Sequence, residues 1–331
     1  MEKRQLGATN FFVNPVGLGC MGFSHAYGKA VEKTEAVKTI RAAYDEVGYN
    51  FFDTAECYTG ENVDGTISYN EELVGEALKP VRDKVIIATK FGVQHNADRT
   101  LKLDSSPETI KKSVDGSLKR LGIDSIDLYY QHRIDPKVEP ETVAEVMKDL
   151  IAAGKIKSWG ISEANEEYLR RAHKVCPVTA VENRYSMAAR WHKNIFPVLE
   201  ELKITFVAFS PMANGLLTGT VTKDTKFTAE GDYRKDMPQF TESGMAKAAE
   251  LLDLLKKLAE EKNATPAQIS LAWMICEKDF IIPIPGSRKL HRLKENFGAG
   301  DIKLSAQEIA DINSKLDTMT FEVFGGHAST N

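Results

Sequence analysis

No apolar run in the 331-residue sequence approaches the ~20 residues needed to cross a bilayer. The first ten residues, MEKRQLGATN, carry charge early and lack the apolar stretch of an export signal. Neither sign of charge dominates: 43 Lys and Arg face 47 Asp and Glu, for a formal net charge of −4. The chain therefore has no global electrostatic attraction for nucleic acid or an anionic membrane, and any anionic ligand must be caught locally. Cysteine is scarce. Cys20, Cys57, Cys176 and Cys276 show neither metal-ligand pairing nor the spacing of a small disulfide scaffold. Reduced thiols and a cytoplasmic location are expected. Long-period repeats and low-complexity tracts are also missing.

What is present is ordinary globular composition, 42% hydrophobic and 27% charged, enough to bury a large core. Short β-branched or aromatic runs alternate with longer helical patterns, the signature of successive βαβ units around a parallel sheet. The strand candidates are Pro15 to Cys20, Asn50 to Asp53, Val85 to Thr89, Ile126 to Gln131, Ser158 to Ile161, Thr179 to Glu182, Thr205 to Phe209 and Phe280 to Ile284. Helical patterns cover Lys33 to Val47, Asn70 to Lys79, Pro107 to Leu121, Glu139 to Ala152 and Glu166 to Val175. Ser106 before Pro107 reads as an N-cap, and Gly122 and Gly154 read as helix stops. Eight strands with interposed helices predict an α/β fold of one domain over residues 1–331, a (β/α)8 TIM barrel. The first dozen residues read as a hairpin closing the barrel floor, and Ser305 to Leu316 as an extra C-terminal helix. Pro211 to about Thr241 has no clear period, and an unpatterned stretch of this length in a compact domain is usually functional.

Chemistry in such a barrel gathers at the C-terminal strand ends. Asp53 ends NFFD, Tyr58 follows in TAECY, Lys90 ends VIIATK and His132 ends DLYYQH. Each alone also has a structural explanation as a cap, a loop aromatic, a solvated amine or a core histidine. Together they make a proton-transfer site that needs no metal. A carbonyl receiving hydride gathers negative charge on oxygen, and a tyrosine hydroxyl can donate the proton, although a phenol of pKa about 10 exchanges reluctantly near neutrality. A neighbouring ammonium held by a carboxylate favours phenolate, and a histidine facing the same oxygen polarises or orients the carbonyl.

DTAECY around Asp53 and Tyr58, TKFG at Lys90 and YYQHRID at His132 resemble the aldo-keto reductase superfamily. Lys90 lies 32 positions after Tyr58, and His132 lies 42 after Lys90. VGLGCMGF, GKIKSWGISEAN, FSPMANGLLTG and IPIPGSRKLHRLKENFGA extend the resemblance over nearly the whole chain. It implies carbonyl reduction with Asp53, Tyr58, Lys90 and His132 as the catalytic group and NADP(H) as the cofactor, held without the GxGxxG fingerprint. It also implies that Ser287, Arg288 and Arg292 take the 2′-phosphate while Glu295 and Asn296 meet the adenine. IPGS independently leads toward a helix expected to start near Ser287, with Gly286 at the turn, so that backbone N–H groups and Arg288 and Arg292, four apart, converge on one anion. By the same resemblance Phe209 stacks on the nicotinamide, and Ser162 grips its carboxamide. Ser210, Pro211, Met212, Asn214 and Leu216 lie along the pyrophosphate, and Met21 and Gly22 touch the cofactor through their backbone.

Two positions depart from the family pattern. Glu163 follows Ser162 where Asn is frequent, and Glu182 ends the sixth strand where Gln is frequent. An ionised glutamate only accepts hydrogen bonds, whereas glutamine also donates. Glu182 could instead stabilise a cationic nicotinamide ring or pair with Arg184. Phe23, Tyr27, Phe91, Trp191 and the tail from Phe321 to His327 are the substrate candidates, suited to a partly apolar small-molecule aldehyde or ketone. A monomer and a small homo-oligomer both fit. The rival readings are a cofactor-binding regulatory protein resembling channel β subunits, with slow turnover, and a phosphate-binding barrel isomerase or lyase that needs no nicotinamide.

Overall fold

The fold is described from a computed structural model covering residues 1–96 and 100–324. Of the expected substrate tail, residues 325–327 lie outside the described residues.

All eight expected strands form, with bounds shifted by a few residues. They are β1 (Leu18–Gly19), β2 (Phe51–Asp53), β3 (Ile86–Phe91), β4 (Leu128–Gln131), β5 (Trp159–Ser162), β6 (Ala180–Arg184), β7 (Thr205–Phe209) and β8 (Ile281–Pro283). Each pairs in parallel with its sequence neighbours in a single sheet. The Gly17 N–H donates to the Pro283 carbonyl at 3.0 Å and joins the first edge to the last. This contact requires glycine on both sides of the seam: a Cβ on Gly19 would lie 2.7 Å from the Ile284 carbonyl oxygen, and one on Gly286 2.6 Å from that of Gly19.

Strand residues alternate between the barrel interior and the helix-facing layer. Phe51, Ala88, Leu128, Tyr130, Ala180, Val207 and Ile282 point inward and form one cluster with Leu6 and Val13. The last two come from the N-terminal hairpin, Arg4–Gln5 paired with Phe12–Val13, which plugs the barrel floor as expected. The residues between them, such as Phe52, Ile87, Tyr129, Val181 and Phe206, face the helices. Gly160 on β5 leaves room for the Tyr130 ring, and a Cβ there would overlap that ring and sit 2.5 Å from the Ala180 carbonyl oxygen. Gly160→Ala is therefore expected to cost about 1–3 kcal/mol through overpacking. Chemical denaturation measures this, and an unchanged midpoint would show that the layer yields more easily than its geometry implies.

The helices carry their own start and stop signals. In α3 (Pro107–Leu121) the Ser106 side chain accepts from the Thr109 N–H, and Gly122 ends the helix at φ 64°. Helices α2 (Asn70–Leu78), α4 (Pro140–Ala152) and α5 (Glu166–Val175) follow the sequence pattern closely. The first expected helix is shorter: α1 (Lys33–Ala42) gives way to a π turn at Ala43–Val47 before Gly48 at φ 102°. Helix α6 (Phe196–Leu202) follows β6. Between β7 and β8 the chain runs through short 3-10 turns to Phe240 and then two helices, α7 (Glu242–Glu261) and α8 (Pro266–Glu277). Helix α9 (Leu290–Gly298) follows β8, and the extra α10 (Ala306–Leu316) starts on a Ser305–Glu308 capping box. Trp273 of α8 donates to Asn313 Oδ1 at 3.1 Å, which docks α10 on the barrel wall. Among the described residues no helix is long and apolar enough to cross a membrane.

Candidate active site

Alternation along the strands decides which polar residues meet. Asp53, Lys90, Ser162 and Glu182 share parity with the inward residues below them, and His132 continues that parity beyond β4. Tyr58 comes from the segment after β2. Its carbonyl accepts from Ser24 Oγ at 2.9 Å and from the Asn70 N–H at 3.0 Å, and a short hairpin, Thr59–Glu61 with Ile67–Tyr69, follows. Asn70 also donates to the Cys20 carbonyl at 3.0 Å, tying the start of α2 to the end of β1.

Lys90 is the hub of the site. Its side chain is fully buried, and Nζ lies 2.5 Å from Asp53 Oδ1, 2.8 Å from the Thr54 carbonyl, 3.5 Å from the Tyr58 hydroxyl and 3.5 Å from Glu182 Oε1. Burial opposes its charge, but Asp53, Glu182 and Tyr58 outweigh that effect and hold the ammonium above its ordinary pKa. The expected tuning of Tyr58 is only partly met. Burial pushes the phenol well above its usual value, and Lys90 lowers it by less than burial raises it. The free site thus presents a protonated phenol beside a fixed ammonium.

His132 is neutral: burial, then Arg133 and Lys90, drive its pKa far below the usual range. Its ring meets Tyr58 edge-on with 5.7 Å between centroids. Cys57 Sγ lies 3.4 Å from His132 Nδ1. Burial pushes the Cys57 thiol up to about 12, so it stays S–H beside the imidazole. Around Tyr58 stand residues that the sequence motifs do not reveal. His25 stacks on it at 6.0 Å, His95 lies 5.0 Å from His25, and the Tyr233 hydroxyl is 3.2 Å from His25 Nε2.

On the other side of Lys90, Ser162 accepts from Arg133 Nη1 at 3.0 Å. Glu163 adopts a left-handed φ of 57°, and its carboxylate accepts from the Arg184 N–H at 3.0 Å and approaches His192 at 3.6 Å. Glu182 does not pair with Arg184. It shares Lys90 with Asp53, and the Arg184 guanidinium lies over the Phe209 ring at 4.9 Å, with Arg133 at 5.7 Å from the same ring. Ser210 at φ 49° and Ala213 at φ 47° turn the chain sharply after β7 around Pro211 and Met212. Asn214 then donates to the Tyr27 hydroxyl at 3.1 Å, while the Leu216 side chain is buried in the core.

The strand-8 end differs from expectation in one respect. Helix α9 begins at Leu290, so Ser287 and Arg288 stand on the lead-in loop and Arg288 does not share a helical face with Arg292. Ser287 Oγ accepts from the Lys289 N–H, Arg288 Nε donates to the Gly22 carbonyl at 2.5 Å, and Arg292 pairs with Glu295 at 2.7 Å. The Arg288 contact brings the first and last strand ends together beside half-buried Met21. Among the described residues, buried polar atoms without a partner along this line include Asp53 Oδ2, Glu182 Oε2, Arg288 Nη2 and Asn296 Nδ2. An acceptor or acid, a cationic donor and an amide donor, each desolvated and unpaired, suit an elongated ligand with an anion and polar heterocycles.

Of the substrate candidates, two are corrected. Phe91 has helix-facing parity and stacks 5.1 Å from Tyr129 in the outer core, so its ring does not face the mouth, and Phe23 is fully buried in the apolar core. Tyr27 belongs to the other side. Its ring carries the Arg234 guanidinium at 5.1 Å, and it bridges Asp232. Trp191 is half-buried beside His192.

The family model described as "Aldo/keto reductase family" matches residues 15–317. The chain is 37% identical over 314 residues to a probable aldo-keto reductase from Glycine max, covering 94% of this chain and 88% of that one. It is 36% identical over 332 residues to an NADP(+) aldo-keto reductase from Schizosaccharomyces pombe, covering 98% and 94%. The structure of a glycerol dehydrogenase from Gluconobacter oxydans superimposes with a TM-score of 0.81 at 27% identity, covering 95% of each chain.

Proposed function

The chain belongs to the aldo/keto reductase family, and from that premise we propose that it reduces an aldehyde or ketone to the alcohol with NADPH, residues 1–331 acting as one domain. The observation that carries this reading is a fully buried ammonium, Lys90, in reach of the Asp53 carboxylate and the Tyr58 hydroxyl at once.

When bound, the reduced nicotinamide supplies the hydride. Tyr58 donates the proton that the carbonyl oxygen needs as it becomes an alkoxide. Burial makes this phenol a weak acid at rest, and Lys90 lowers the cost of the phenolate left behind. Asp53 fixes Lys90 and keeps it charged. The neutral His132 donates a ring N–H to the same oxygen and orients it. A neutral imidazole donor does this without placing a second cation in the pocket. The polar aromatic wall of His25, His95 and Tyr233 favours a carbonyl attached to a flat or partly apolar group.

Phe209, Ser162 and Glu182 would hold the nicotinamide, and the turn from Ser210 to Leu216 would run along the pyrophosphate. Met21 and Gly22 would meet the cofactor through their backbone; Gly286, Ser287, Arg288 and Arg292 would hold the adenosine 2′-phosphate, and Glu295 and Asn296 would meet the adenine. The unpartnered Arg288 Nη2 and Asn296 Nδ2 support that placement. A charge-assisted hydrogen bond contributes about 1.5–3 kcal/mol, so Arg288→Ala is expected to weaken NADPH binding roughly 10- to 100-fold and leave NADH binding unchanged. Equal losses for both cofactors would remove Arg288 from the phosphate site. The activity itself is tested by NADPH oxidation with a panel of aldehydes, ketones and quinones. Turnover with at least one carbonyl is expected. Tight NADPH binding with no turnover across the panel would favour a regulatory role.

A further inference from the structure

Two carboxyl groups share one ammonium at the base of this pocket. Asp53 and Glu182 are both about 2% exposed, and Lys90 Nζ lies 2.5 Å from the first and 3.5 Å from the second. We propose that Glu182 is a proton-releasing contact for the cofactor: neutral, it donates a hydrogen bond to the nicotinamide carboxamide, and it gives up that proton when the oxidised, positively charged ring binds. The proposal rests on reading the site as a nicotinamide pocket.

Charge balance is the first argument. Two carboxylates and one ammonium would leave a net negative charge in a buried site, which costs far more than keeping one carboxyl protonated. Asp53 makes the shorter contact with Lys90 and is the ion, so the retained proton belongs to Glu182. Free valence is the second argument. Glu182 Oε2 is buried without a partner, as is Asp53 Oδ2, and Ser162 stands in register with Glu182 on the adjoining strand. The third is the set of charges facing it. Asp53 comes from β2, Tyr58 from the segment beyond, Lys90 from β3, Tyr130 from β4 and Arg133 from just after β4. Burial and then Asp53 push the Glu182 carboxyl up to about 8, while Lys90 and Arg133 pull the other way and keep ionisation within reach.

A protonated glutamate offers what glutamine offers, one donor and one acceptor. Unlike glutamine it can ionise. The step is a simple exchange: the Glu182 O–H bond breaks, the proton leaves to solvent, and the carboxylate faces a cationic ring. The reduced ring is uncharged and favours the neutral acid. Rising pH through about 8 should therefore tighten NADP+ binding relative to NADPH. The 2′-phosphate titrates alike on both cofactors and cancels in the ratio.

The test is the dissociation constant of each cofactor for the full chain at pH 6.5 and pH 9, read by tryptophan fluorescence, together with the protons released on NADP+ binding, read by calorimetry in two buffers. The wild-type Kd ratio of NADP+ to NADPH is expected to fall about tenfold or more with pH, with net proton release on NADP+ binding at pH 7. In Glu182→Gln the ratio should be flat with pH and the release attributable to this residue absent. A flat wild-type ratio, or the same slope in Glu182→Gln, overturns the proposal and leaves the nicotinamide reading standing. Failure of the wild type to bind either cofactor overturns both. The wild-type measurements decide the matter even if the variant does not fold.

Discussion

Lys90→Met is expected to lower turnover by about 10²- to 10⁴-fold, the range for losing a proton-transfer group, and to make folding stability fall with pH. Methionine matches the stem of lysine but leaves Asp53 and Glu182 without their ammonium. Breaking a buried ion pair by removing one partner costs about 3–5 kcal/mol when the remaining charge cannot be neutralised. Here it can, because both carboxyls can take up protons. Burial already raises the pKa of each, and loss of Lys90 raises them further. The folded variant then binds protons that the unfolded chain has released above about pH 4. Stability drops as pH rises wherever the folded state holds more protons, so the loss relative to wild type should be smaller at pH 5.5 than at pH 8.5. Urea midpoints at the two values, beside steady-state rates, measure both effects. Wild-type turnover in the variant, or an equal loss of stability at both pH values, would show that Lys90 is not the electrostatic centre of the site.

Tyr58→Phe should have an equally large effect on rate by a different route. It removes one hydroxyl, 3.5 Å from Lys90, and leaves the ring stacked near His25 and His132. Stability and NADPH affinity should stay close to wild type, and kcat should fall by about 10²- to 10⁴-fold. No other group in the pocket replaces the lost donor. His132 is held neutral well below its usual range, so acidification to pH 6 creates no imidazolium to take over. Residual activity of the variant should therefore be flat between pH 6 and pH 8. A rise toward low pH would identify His132 as a working acid and displace Tyr58 from that role. Full activity in the variant would do the same.

The barrel was largely readable from period alone, because inward and outward residues differ in kind along each strand. The ends of β2, β3 and the segment after β4 carry Asp53, Lys90 and His132 at positions whose parity follows from Phe51, Ala88 and Tyr130 below them. The same parity would have removed Phe91 from the substrate list, since it is one residue beyond Lys90 and must face the helices. Other features are invisible locally. Whether Glu182 meets Arg184 or Lys90 depends on which strands face each other across the barrel, and local sequence carries no such information. The surroundings of Tyr58 are likewise a property of the assembled mouth, where burial raises this phenol by more than Lys90 lowers it. Helix α9 starts three residues later than expected because Ser287 Oγ holds the Lys289 N–H in the lead-in loop, freeing Arg288 to reach the Gly22 carbonyl. His25 stacks on Tyr58, and His95, from the short strand Val93–His95, and Tyr233 meet His25 without any shared motif.

The central claim is that a hydride passes from the nicotinamide to a carbonyl carbon while Tyr58 supplies the proton. The most direct test is to run the reduction in ordinary water with NADPH carrying deuterium on both C4 positions and analyse the alcohol by mass spectrometry. The account predicts one deuterium on the carbinol carbon of every product molecule, and about 10²- to 10⁴-fold less product from Tyr58→Phe over the same interval. An alcohol without deuterium, or equal product from Tyr58→Phe, would contradict it.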